Sequence, residues 1–178
     1  MISLPVWIED WAHECCGQPR RLGDPVELEL TFDGDVRAAG DAPGGIELLD
    51  AGQVSIVGTA IGPVTDEANQ AGGTLIASGP VRFAIHGDPP ADRVRCTGRL
   101  WETRHGGPTG ITTGELAGIR WRPAIIRHLS PEAGEIAGYL PGDELTSTED
   151  WQEHRDDENA DSWAFELTVS VGGDAARA

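Results

Sequence analysis

Trp163-Ala164-Phe165-Glu166-Leu167-Thr168-Val169-Ser170-Val171 decides the fold class. Its large apolar side chains fall on every second residue, with small or polar ones between them. A period of two puts the two sets on opposite faces of a strand. Aromatic and β-branched residues also favour that pleated state.

The same period recurs outward from this stretch. In residues 93–101, Val94, Cys96, Gly98 and Leu100 share one side, and Arg93, Arg95, Thr97, Arg99 and Trp101 the other. In residues 26–32, Val26, Leu28, Leu30 and Phe32 alternate with Glu27, Glu29 and Thr31. Pro25 can begin that strand, and Asp33-Gly34-Asp35 is expected to end it. Leu4, Val6 and Ile8 alternate with Trp7 and Glu9, and Val81, Phe83 and Ile85 form a further apolar face. Over residues 53–61 the alternation slips beside Gly58, which predicts a β-bulge or bend. Residues 119–126 read as a strand that Pro123 confines to an edge or a bulge, because proline cannot donate to a ladder.

Between these runs the chain is rich in turn residues. Residues 37–52, with a short ordered piece at Ile46–Leu49, and residues 65–74 and 105–114 read as loops. Residues 131–145 are broken by Pro131, Gly134, Gly138 and Pro141, and no element is assigned there. Thr146 and Glu149 have capping-box spacing, which predicts one short acidic helix over residues 148–155.

Seven or so strands with no helix of crossover length exclude a parallel α/β sheet. The expectation is a mainly β fold, a small antiparallel barrel or sandwich, with an OB-like or SH3-like barrel preferred. The 178 residues fit a single domain over 1–172 with a flexible tail at 173–178.

Charge and cysteine usage bound the function. A net charge of −17 repels nucleic acid and anionic membrane as a whole. All 13 basic residues are arginine, a pattern of GC-rich coding rather than of function. No apolar run approaches the ~18 residues that a membrane span needs. Three cysteines, two of them adjacent, do not make a secreted disulfide framework, so a cytoplasmic protein is expected.

Most of the unusual chemistry lies in Val6–Pro19, which holds Trp7, Trp11, His13, Cys15 and Cys16. Adjacent cysteines on extended chain point to opposite faces, so Cys15 and Cys16 can share one zinc ion with His13 only if a turn intervenes. Cys96, His86 or His105 could complete such a set; otherwise the cysteines are small buried hydrophobes. Trp7 and Trp11 flank Glu9 and Asp10, a grouping able to hold a sugar or a cation, or simply to close the end of a barrel. Arg93, Arg95, Arg99 and Trp101 form an arginine stripe that Arg120, Arg122 and Trp121 could extend from a neighbouring strand. Arginines with aromatic partners are how single-stranded nucleic acid is held; pairing of the stripe with Glu27 and Glu29 is the ordinary alternative.

Other motifs fail. Asp157, Asn159 and Asp161 start a calcium-loop pattern, but Ser162 and Thr168 stand where Gly and Glu are needed. No nucleophile elbow, zinc-protease motif or phosphate-binding loop is present in the sequence.

The run Val6-Trp7-Ile8-Glu9-Asp10-Trp11, then Cys15-Cys16-Gly17-Gln18-Pro19, then Leu22-Gly23-Asp24-Pro25-Val26, resembles the N-terminal signature of an uncharacterised family of small actinobacterial proteins. The likeness covers about the first 30 residues, and Cys-Cys-Gly-x-Pro is its most specific part. It implies a soluble bacterial protein and transfers no catalytic residue. The expected function is a non-enzymatic β-domain that binds a protein partner or small ligand. A zinc protein built on Cys15 and Cys16, and a weak single-strand binder using the arginines, are the alternatives.

Overall fold

A computed structural model describes residues 1–10, 12–13, 18–65, 72–103, 109–130, 133–150 and 162–172. The strands are β1 (Ile2–Glu9), β2 (Pro25–Ala38), β3 (Gly45–Leu48), β4 (Val54–Thr65), β5 (Gly72–Ser78), β6 (Val81–His86), β7 (Arg93–Glu102), β8 (Gly110–Ser130), β9 (Ala133–Tyr139), β10 (Glu144–Leu145) and β11 (Trp163–Val171). A 3-10 turn, Asp50–Gly52, precedes β4. The fold is mainly β, and one sheet takes in all eleven strands.

The first and last strands pair along their whole length, from Ile2 opposite Val171 to Glu9 opposite Ala164. Their even-numbered and odd-numbered apolar sets, Leu4, Val6 and Ile8 against Trp163, Phe165, Leu167, Val169 and Val171, enter one core. Leu28, Leu30 and Phe32 of β2 and Val94, Cys96 and Leu100 of β7 join them. Each fully buried Leu, Ile or Phe contributes about 1.5–3 kcal/mol, so the period-two pattern supplies the driving force for the architecture.

The pairings close on themselves twice. One circuit runs β8–β11–β1–β7–β2 and returns to β8. The other runs β7–β2–β6–β5–β4 and returns to β7. Each has one narrow, parallel junction, Trp7 opposite Trp101 in the first and Thr31 opposite Ala84 in the second. The long strands β2 and β7 are shared by both circuits.

Several local expectations are corrected. Strand β2 does not stop at Asp33-Gly34-Asp35; it continues to Ala38 against β7. Gly34 lies opposite Gly98, has φ of 151°, and a Cβ on Gly34 would come within 2.8 Å of the Gly98 Cα. Two glycines let the backbones approach where side chains would end the ladder. The irregularity in β4 falls between Ala60 and Gly62 rather than at Gly58, which packs against Ile76 and Ala77. Strand β5 starts at Gly72 and β8 at Gly110, so strand takes up the last residues of both stretches expected as loops. Pro123 sits inside the sheet, in the strand between β10 and β11, at the end of the β11 ladder opposite Trp163. Its carbonyl accepts from the Leu140 amide at 2.8 Å.

The capping box is displaced by one residue. The Ser147 hydroxyl accepts from the Glu149 amide at 3.1 Å, and the Asp150 carboxylate accepts from the Ser147 amide at 2.9 Å. Residues 148–150 form a single 3-10 turn; the rest of the expected acidic helix lies outside the described residues. So do Asp157, Asn159 and Asp161 of the calcium-loop pattern and the whole expected tail, residues 173–178.

Candidate binding surface

Trp7 is 1% exposed, yet it is not part of the main core. Its neighbours on β1 point inward, so period two turns the indole to the outer face of the sheet. There it is covered by residues from four other places in the chain. The Trp101 ring centroid lies 5.9 Å away and that of Tyr139 lies 4.8 Å away. The indole N–H donates to the Gly52 carbonyl at 2.9 Å. The Arg99 Cζ sits 5.0 Å from the Trp7 ring centroid, and that of Arg122 sits 5.9 Å from it.

The two arginines differ in their partners. Arg122 and Glu166 are diagonal neighbours across β8 and β11, each side chain 12% exposed. Arg122 Nε donates to Glu166 Oε2 at 2.7 Å, and Nη2 donates to the same oxygen. That charge is answered within the fold. Arg99 also lies 5.8 Å from the Tyr139 ring, but among the described residues it forms no ion pair, and its buried Nε has no hydrogen-bond partner there. Asp33 stands opposite Arg99 in the β2–β7 register with its side chain exposed.

Burial first, and then the negative charge of Glu9, push the Tyr139 phenol up to about 12, with Arg99 opposing and Asp10 adding to the rise. Trp101 and Tyr139 are half-buried and form the accessible part of the cluster, with Trp7 as its floor.

The arginine stripe divides in two. Arg99 and Trp101 reach the cluster together with Trp7 and Arg122. Arg93 instead donates to the Ala42 carbonyl at 2.6 Å, and Arg95 to the Ser55 hydroxyl at 3.2 Å. Arg120 pairs with Glu144, and Trp121 belongs to the core. The expected pairing with Glu27 and Glu29 does not occur, because those residues oppose Thr113 and Ile111 of β8. Trp11, Cys15 and Cys16 lie outside the described residues. His13 packs edge-on against Phe165 at 4.9 Å and Trp163 at 6.1 Å, and Cys96 is fully buried. Among the described residues no three His, Cys, Asp or Glu side chains gather as a metal site.

Two parts of this surface escaped the sequence reading. Tyr139 is the only tyrosine, but it falls in a segment whose glycines and prolines hide the strand. Glu166 is the only charged residue of β11, a signal that the alternation alone passed over. A cleft of about 530 Å³ lies elsewhere, lined by Asp24, Glu27 and Glu29 and floored by a buried Arg20–Glu102 pair.

No helix among the described residues is long and apolar enough to cross a membrane. No curated protein and no solved structure matches the chain. A family model described as "Family of unknown function (DUF6578)" matches residues 2–169. With nearly the whole chain covered, this protein belongs to that family of unknown function.

Proposed function

We propose that the chain is a non-enzymatic binding domain that meets a protein partner through Arg99, Trp101 and Tyr139. The observation that carries this reading is the placement of Arg99 over two aromatic rings with no ion pair among the described residues. Arg122 beside it, by contrast, has its carboxylate within the fold. Half-exposed Trp, Tyr and Arg are the residue types that dominate binding energy at protein interfaces. Ile136 and Leu140, 45% and 48% exposed, lie within three residues of Tyr139 along the chain.

The two closed pairing circuits support a pair of small fused β-barrels as the scaffold, with the patch on the outside of the first. The reading takes the protein as cytoplasmic and bacterial, in keeping with its arginine-only basic set and the buried free thiol of Cys96. The N-terminal signature then marks an actinobacterial lineage.

The test is comparative capture. Wild type and an Arg99→Gln, Trp101→Ala variant of equal Tm are immobilised and exposed to cytosol of the source cells. Quantitative mass spectrometry is expected to find proteins held saturably by the wild type and at least tenfold less by the variant. Identical captured sets would overturn the reading.

A further inference from the structure

We infer that the group meeting Arg99 is a carboxylate on the partner protein, carried next to an aromatic or apolar residue. This rests on the binding reading above and names the chemistry of the partner. The other cation on the same indole, Arg122, already has its carboxylate in Glu166. Arg99 occupies the equivalent place on the β7 side with the aromatic contacts and, among the described residues, without the anion.

The cradle fixes the guanidinium before any ligand arrives. Trp7 is locked by its hydrogen bond to Gly52 and by the rings of Trp101 and Tyr139. An arginine placed over aromatic rings still has N–H groups to offer an acceptor, and its planar fork matches a carboxylate. An aromatic or apolar neighbour on the partner would rest against the half-buried rings of Trp101 and Tyr139.

Nearby acids set the discrimination. Glu166 is held by Arg122, whereas Glu9 and Asp10 act on Tyr139 at longer range. Asp33 stands across from Arg99 in the register without pairing with it, a neighbouring negative charge that repels an incoming carboxylate. The net charge of −17 repels acidic partners at long range, but screening within about 8 Å at physiological salt leaves the local contact to decide.

The test uses two peptides that differ only in charge, acetyl-Phe-Glu-Phe-amide and acetyl-Phe-Gln-Phe-amide. Each is titrated into the ¹⁵N-labelled full chain while the arginine Nε–Hε resonances are followed. The Arg99 resonance is assigned by its loss in Arg99→Gln. The Glu peptide is expected to shift it saturably, about tenfold more tightly than the Gln peptide, the factor one charge-assisted hydrogen bond supplies. Asp33→Asn is expected to tighten the Glu peptide further. Equal affinity for the two peptides, or no response of Arg99 to either, overturns the inference. Patch-dependent capture combined with equal peptide affinities would sink only the carboxylate assignment; loss of both would sink the binding reading as well.

Discussion

The indole N–H of Trp7 donates to the carbonyl oxygen of Gly52 at 2.9 Å, joining the first strand to a turn 45 residues further on. The contact leaves no space at Gly52. A Cβ there would lie 2.6 Å from Trp7 Cζ2 and 3.0 Å from Glu166 Oε1, and φ is 67°. Gly52→Ala therefore meets both a clash and a strained backbone, and is expected to cost about 1–3 kcal/mol. Gly72 has ordinary φ and open space within 4 Å of where a methyl would stand, so Gly72→Ala should stay within about 0.5 kcal/mol. Urea denaturation of both variants checks this; equal midpoints would mean the turn yields freely to Trp7.

Arg20 and Glu102 form a two-pronged ion pair at 2.5 Å and 2.6 Å, with side chains 10% and 5% exposed. The pair ties the chain just before β2 to the end of β7. Removing one partner strands the other charge in a buried setting, so Glu102→Gln is expected to cost about 3–5 kcal/mol. The double change Arg20→Met, Glu102→Leu removes both charges and should cost less than either single change. A double variant weaker than both singles would show that the charges, rather than their burial, carry the stability.

The strand faces were legible because they depend on period two alone. The large residues expected inward from β11, β7, β2 and β1 are in the core or, like Val26, packed against it. What composition hid was strand length. Asp33-Gly34-Asp35 has the chemistry of a turn, but Gly34 opposite Gly98 makes it a place of close backbone approach. That outcome depends on what a strand far along the chain carries, which no local pattern encodes. The same holds for β9, whose Gly134 and Gly138 are themselves rungs of a ladder with β8.

The site was legible only as a list of residue types. Arg93, Arg95, Arg99 and Trp101 do share one side of β7, but register decides which neighbour each meets. Arg95 faces Val57 and Ser55, whereas Trp101 faces Trp7. Tyr139 arrives from a hairpin at the far end of β8, and it completes the cradle that singles out Arg99.

Cys96 and Tyr139 predict the alkaline limit of the fold. Burial raises the Cys96 thiol from 9.0 to about 12, and burial with the charge of Glu9 raises the Tyr139 phenol from 10.0 to about 12. Both groups ionise more readily in the unfolded chain. Their contribution is complete below pH 9 and is lost as pH rises toward 12. The melting temperature should fall across that window, and less steeply in Tyr139→Phe. Cys96 should also resist iodoacetamide in the native state and react once denatured, as read by peptide mass spectrometry.

Asp150 predicts the acid limit of the last turn. Its carboxylate accepts from the Thr146 hydroxyl at 2.9 Å and from the Ser147 amide at 2.9 Å. These hydrogen bonds, that from Thr146 first, hold its carboxyl below the ordinary 3.8. A depressed folded value means the contribution is present above the unfolded value and is lost as pH falls through the folded one. Asp150→Asn should therefore melt below wild type by a constant margin from neutral pH down to about pH 5, since one charged acceptor has been removed from a capping position. The margin should narrow below pH 3.8 and close once the wild-type carboxyl is protonated. Because the turn docks through the Thr148 amide onto the Arg20 carbonyl at 2.9 Å, fraying it also loosens the residue that anchors Glu102. A margin of the same size at neutral pH and well below pH 3.8 would show that packing of the side chain, and not its charge, holds the turn.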